Sequence, residues 1–262
     1  MPTSALHVAR TGLEAQDTRM RVIANNLANI GTTGFKRDRA DFATLAYQDT
    51  RVAGQQSTAE SAYAIGLNLG TGVQVQGTSR IDTQGTLSTT GNSLDVALDG
   101  PGFFQVQLPT GETAYTRAGN FTLSADGQLV TAQGFTVEPV INVPQGSQSI
   151  SIAPDGTVSA TLQGDNAPQQ LGQLTIASFV NPAGLQALGD NFLAETAASG
   201  PADIGPGGEN GRGGVRQGML EASNVNVVEE LVEMIEAQRA YEINSKMVSA
   251  VDEMLQNANQ TL

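Results

Sequence analysis

The chain has 262 residues, a formal charge of −13, 30 glycines, no cysteine, no tryptophan and one histidine, His7. Without thiols there can be no disulfides, zinc–thiolate centres or cysteine nucleophiles. A lone imidazole excludes a multi-histidine metal site and disfavours Ser/His chemistry. With 26 acids against 13 bases the chain repels phosphate, so no nucleic acid is expected as a partner.

Residues 1–40 carry six bases against three acids and read as an amphipathic helix. Leu6, Leu13, Met20 and Leu27 recur every seven residues, and Ala9, Ile23 and Ile30 fall three positions after members of that series. This is the a/d seam of a heptad helix, interrupted by Gln16. Ser4 is the expected N-cap, and Gly31 with Gly34 the expected stop. His7, Arg10, Glu14 and Asp17 break any apolar run of signal-peptide length, so cytosolic residence is the default expectation, and export without a cleaved signal is compatible with it. No apolar run approaches the roughly 18 residues of a membrane helix, so no membrane insertion is expected.

Residues 41–70 read as an extended linker or insertion, rich in Gln, Ser, Ala and Gly around positions 48–72. Residues 71–215 read as an antiparallel β-rich domain. Leu94, Val96 and Leu98 alternate with polar neighbours, as do Phe104, Val106 and Leu108. Asp126-Gly127 and Asp155-Gly156 supply the positive-φ pairs expected of tight hairpins. The proline- and glycine-rich stretch 197–214 reads as a second extended linker, with Gly205–Arg212 as a flexible joint.

Residues 216–262 carry three bases against eight acids and form a second heptad helix through Val227, Met234, Tyr241, Val248, Leu255 and Leu262, with Ala237, Val251 and Ala258 beside them. Asn226 opens it in a capping-box-like Asn-x-x-Glu, and Glu229, Glu230, Glu233 and Glu236 crowd the turns where the helix dipole favours acids. The fold class is therefore α+β, with helical arms 1–40 and 216–262 packing as a coiled-coil-like layer around an inserted β domain. The expected assembly seam is Leu6, Leu13, Met20, Ile23, Leu27, Ile30, Val227, Met234, Tyr241, Val248, Val251 and Leu255. Two helices with no further helical layer leave apolar surface uncovered, which calls for partners.

Chemistry is hard to find. The run Gly205–Arg212 lacks the lysine of a phosphate-binding loop. Asp95 and Asp99 could be offered as a glycosidase pair, but they sit beside a turn and read as solvated acids. The acids from Glu229 to Glu236 lack the layout of a calcium loop. No catalytic residue, cofactor or metal is expected.

Three stretches resemble the bacterial flagellar rod and hook family. They are Asn25-Asn26-Leu27-Ala28-Asn29-Ile30-Gly31-Thr32-Thr33-Gly34-Phe35-Lys36-Arg37; Gly100-Pro101-Gly102-Phe103-Phe104 with Tyr115-Thr116-Arg117-Ala118-Gly119-Asn120-Phe121; and Ser223-Asn224-Val225-Asn226 running on to Gln238-Arg239-Ala240-Tyr241. The signature residues are Asn25, Asn26, Leu27, Ala28, Asn29, Gly34, Phe35, Lys36, Gly102, Phe103, Phe104, Gln238, Arg239, Ala240 and Tyr241. Within the family the length and the middle domain point to the distal section of the rod. The resemblance implies a self-assembling helical polymer around a central channel, with proximal rod subunits, hook protein, basal-body ring proteins and the flagellar type III export apparatus as partners. It also implies residence in the basal body, across the periplasm. Another rod or hook subunit, or a secreted β-rich carbohydrate-binding protein, is the alternative.

Overall fold

A computed structural model describes residues 2–51, 54, 56, 64–163 and 167–260. The chain divides into two compact units: residues 1–27, 38–79 and 226–262 form the first, residues 28–37 and 80–225 the second.

The first unit is built on two long helices, α1 (Pro2–Ala28) and α2 (Val227–Gln260). α1 already begins at Pro2, so Ser4 lies inside the helix rather than capping it; a proline suits the first turn because its missing N–H would find no partner there. α2 starts as its sequence proposes: the Asn226 side-chain oxygen accepts the amide of Val228 at 3.1 Å. The helices run antiparallel. Gly12 faces Asn244, Arg19 pairs with Glu233 and Glu236 at 3.5 and 3.7 Å, and Asn26 donates to Glu230 at 3.2 Å, so advancing fourteen residues on α1 retreats fourteen on α2.

The inward positions of α1 are Ala9, Ala15, Ile23 and Asn26, all buried, with Leu6, Leu13, Met20 and Leu27 half-buried around them. On α2 the innermost heptad is Glu230, Ala237, Asn244 and Val251, with Met234 and Val248 beside it. Val227 and Tyr241, placed in the seam by hydrophobicity, are each 40% exposed. The physical reason is that small and polar side chains let two helices approach closely, and that series is invisible to a search for apolar repeats.

Strand Asp38–Thr44 pairs with Val73–Arg80, and Gln48–Arg51 forms an antiparallel pair with Leu67–Leu69 through a bulge. The expected linker thus starts and ends as paired strand, while most of its middle lies outside the described residues. The unit is tied to α1 where the Val73 amide meets the Thr11 hydroxyl at 3.4 Å and His7 Nδ1 meets the Thr71 carbonyl at 3.2 Å.

The second unit is β throughout. A nine-stranded sheet runs in the order 186–189, 192–194, 113–116, 103–107, 136–138, 129–130, 122–123, with 176–178 added on 103–107 and 203–205 on 176–178. A three-stranded meander (147–152, 157–162, 169–173) and the pairs 96–99 with 214–217 and 87–89 with 219–221 complete it. Its core gathers Val96, Leu98, Phe104, Phe121, Ile176 and Val215 among others, with Phe104 and Phe121 edge-to-face at 5.1 Å.

Two local expectations are corrected here. At Asp126-Gly127 and Asp155-Gly156 only the glycine takes positive φ (80° and 89°), the pattern of a type I turn closed by a left-handed residue. Consecutive positive φ values occur instead at Gly189-Asp190-Asn191 (103°, 50° and 63°), at the hairpin joining 186–189 to 192–194, and at Asn210-Gly211 (49° and 79°). The stretch 197–214 is no flexible linker. Residues 203–205 are paired strand, and Arg212 is buried, donating to Asp203 at 2.9 Å and to the Pro206 carbonyl at 3.2 Å. Gly213 donates to the Pro101 carbonyl at 2.7 Å, so these glycines permit close packing rather than motion.

Candidate functional site

The chain passes from one unit to the other at positions 27/28, 37/38, 79/80 and 225/226. In the second unit, segment 28–37 forms a strap. The Gly34 amide donates to the Glu221 carbonyl at 2.8 Å, and Asn191 at the tip of the Asp190-Asn191 turn donates to the Thr33 carbonyl at 3.1 Å. Gly34 has φ 70°, and a Cβ there would stand 2.7 Å from the Arg117 backbone, so only glycine fits. The Arg37 amide donates to Asn224 Oδ1 at 2.7 Å, and its carbonyl accepts the Ile81 amide at 2.8 Å.

Beneath the strap lies a buried ion triad. Lys36 Nζ reaches Glu221 Oε1 at 2.6 Å, and Arg117 Nε reaches Glu221 Oε2 at 2.8 Å. The Gly85 amide adds a third donor to Glu221 at 2.9 Å. Lys36 also donates to the Thr83 carbonyl at 2.7 Å, and Arg117 Nη1 to the carbonyls of Gly100 and Gly102 at 2.8 and 2.7 Å. All three charged side chains are nearly inaccessible to water. Burial opposes ionisation of Glu221, but the Arg117 charge, the Lys36 bond and the Gly85 amide together hold its carboxyl below the ordinary 4.5. Burial pushes the Lys36 ammonium below its ordinary 10.5, and the Arg117 charge adds to this, while Glu221 and the more distant Asp82 only partly oppose it.

Asn224 is the second tie. While its oxygen accepts Arg37, its amide donates to Ile81 and Thr83 carbonyls at 2.8 and 3.0 Å and to the Thr83 hydroxyl at 3.0 Å. Three segments that leave the unit (28–37, 80 onward and up to 225) are therefore gathered by two side chains. In the first unit a separate tie is centred on buried Asn26. It exchanges two bonds with the Asp38 backbone, at 2.9 and 3.0 Å, and donates to Glu230.

Of the signature residues, Asn26, Gly34, Lys36 and Gly102 take part in these ties. Asn26, Gly34, Lys36, Gly102, Phe103 and Phe104 are buried; Leu27, Asn29, Phe35 and Ala240 are half-buried; Asn25, Ala28, Gln238, Arg239 and Tyr241 face outward. Ile30 lies past the end of α1, in the strap, and the side chain of Leu255 lies outside the described residues. Glu221, Arg117 and Asn224 as tying groups were not found by sequence reasoning. One signal was available: Lys36 is one of only two lysines, and Arg117 stands alone in an otherwise uncharged strand region.

The reading of Asp95 and Asp99 as solvated acids holds for Asp99, which is exposed and pairs with Arg216 at 2.6 Å, and is corrected at Asp95, which is buried because it accepts the Thr90 hydroxyl at 2.6 Å and the Asn92 amide at 3.0 Å. Among the described residues no group of three metal-binding side chains occurs. Two helical arms, a β-rich unit and buried side-chain ties within each unit make the framework of a structural subunit.

Three family models match in chain order: residues 6–36 fit the flagella basal body rod protein, residues 97–160 the flagellar hook protein FlgE/F/G D1 domain, and residues 216–261 the flagellar basal body rod FlgEFG protein C-terminal region. The chain belongs to this flagellar rod and hook family, among the structural subunits of the basal-body rod. Similar relatives include the flagellar basal-body rod protein FlgG of Buchnera aphidicola subsp. Acyrthosiphon pisum, 54% identical over 98% of both chains, and FlgG of Caulobacter vibrioides, 46% identical over 98% of both. FlgF of the same Caulobacter is 34% identical over 99% of this chain and 98% of its own.

Proposed function

We propose that this chain is the repeating subunit of the distal rod, self-assembling into a hollow helical shaft that passes torque from motor to hook. Proximal rod subunits and hook protein are its axial neighbours, ring proteins are its bushing, and the type III apparatus exports it across the periplasmic route. Its work is mechanical, with no catalytic step. FlgG relatives outscoring FlgF within one organism support the distal assignment.

One observation carries the reading. Among the described residues, fifteen of the twenty exposed large hydrophobic side chains belong to the first unit, nine of them on α2. Val228 is 70% exposed, Ile235 50% and Ile243 61%. An apolar face of that extent on a long helix is far from what a solitary soluble molecule tolerates, and sister subunits are the natural cover. The second unit holds thirteen acids against six bases, a surface suited to hydration and free rotation.

The test is assembly of purified full-length chain, followed by sedimentation and electron microscopy. Val228→Asp and Ile235→Asp are expected to abolish polymer while leaving the monomer's circular dichroism unchanged. Polymerisation of both variants at the wild-type concentration would refute the reading.

A further inference from the structure

We propose that Glu221 is a late-arriving key. Lys36 and Arg117 keep the strap 28–37 unseated until strand Met219–Glu221 docks, so that the first and last segments of the second unit are fixed in a single step.

Lys36 and Arg117 are both buried and both bonded to one carboxylate, and their other hydrogen bonds run to the carbonyls of Thr83, Gly100 and Gly102, with Asp82 adding a weaker through-space attraction to Lys36. Carbonyl dipoles and one more distant acid do not offset two adjacent cations withdrawn from water once the carboxylate bonded to both is removed. The counter-charge comes 185 residues after Lys36 and 104 after Arg117. The same residue holds the strap through its backbone, accepting the Gly34 amide, and the strand it ends pairs with Leu87–Thr89. Asn224, three residues on, then captures Arg37 from 187 residues away.

The central strands need none of this. Phe103–Gln107, Thr113–Thr116 and Thr136–Glu138 pair with one another across short separations. Contacts between near residues form before those that close long loops, so the sheet can stand while the strap remains open. For a rod subunit, a consequence that rests on the function proposed above, the strap that follows the N-terminal helix is not seated in the second unit before nearly the whole chain is present. An exported chain thereby keeps that strap open until residues 219–224 follow.

Hydrogen exchange on the full-length chain tests the key. In Glu221→Gln the Gly34 and Arg37 amides should exchange at least about 100-fold faster than in the wild type, while the Val106 amide keeps its protection. The triple variant Lys36→Met, Arg117→Met, Glu221→Met removes the charges together and should restore slow exchange at Gly34. If Glu221→Gln unfolds the whole unit, rescue by the triple variant still supports the key, and failure of rescue overturns it. Wild-type protection of Gly34 in Glu221→Gln also overturns it. In pulsed exchange during refolding, Val106 should be protected before Gly34; the reverse order refutes late arrival. These readouts concern the free chain, so a failure of the wild-type chain to polymerise would sink the rod reading and leave them standing.

Discussion

Asn224 makes four hydrogen bonds with one side chain, three of them to backbone groups of the segments at positions 37, 81 and 83. Asn224→Ala strands those groups in a part-buried setting, and at about 1–3 kcal/mol for each unsatisfied buried group the expected loss is about 2–4 kcal/mol. A fall in the urea midpoint with unchanged slope checks it; a midpoint within error of the wild type contradicts it. Glu221 adds a pH dependence of definite sign. Its carboxyl is held below 4.5 in the fold by Arg117, Lys36 and the Gly85 amide, with Asp82 acting on the Lys36 side of the cluster. Between the folded value and 4.5 the unfolded chain binds more protons, so stability is complete above 4.5 and falls as pH drops toward the folded value. Glu221→Gln should lack that part of the acid limb. The Lys36 ammonium, held below 10.5 mainly by burial, works in the same direction at high pH: between its folded value and 10.5, stability rises with pH.

At the scale of elements, the two helices were readable because their apolar residues keep a seven-residue period for nearly their whole length, and the β class because short alternating runs are separated by glycine turns. What periodicity does not reveal is which side of α2 faces α1. The inward series Glu230, Ala237, Asn244, Val251 is polar or small, whereas the larger apolar residues Val228, Leu231, Val232 and Ile235 stay exposed. The triad was hidden for another reason: no local pattern announces a bond between residues 185 positions apart. One seam position did declare itself. Gln16, the polar break in the α1 heptad, buries its Oε1 with no hydrogen-bond partner among the described residues. Gln16→Leu removes an unsatisfied acceptor while keeping the shape, and should stabilise the helix pair by about 1 kcal/mol. Because helices of this kind draw their stability from burial, the free chain should show less helix by circular dichroism than the polymer, and Gln16→Leu should narrow that gap. Equal helix content in free chain and polymer would contradict both statements.

For the whole molecule, charge and apolar surface oppose each other. Each subunit carries −13, of which −7 lies in the second unit, so bringing copies together concentrates like charge while covering the apolar face of α2. Screening acts on these two contributions differently. At about 0.15 M salt the Debye length is near 8 Å, and repulsion between exposed acids on neighbouring copies weakens steeply above that, whereas apolar burial is not diminished by added salt. The ion pairs of Arg19 with Glu233 and Glu236 are part-exposed and of small worth, so their screening takes away little. The critical concentration for polymerisation should therefore fall as sodium chloride is raised from about 0.05 to 0.5 M, the range over which the Debye length shrinks from roughly 14 to 4 Å. Light scattering against protein concentration at each salt measures it. A critical concentration that rises with salt would mean that intersubunit ion pairs, and not the apolar face of α2, hold the polymer together.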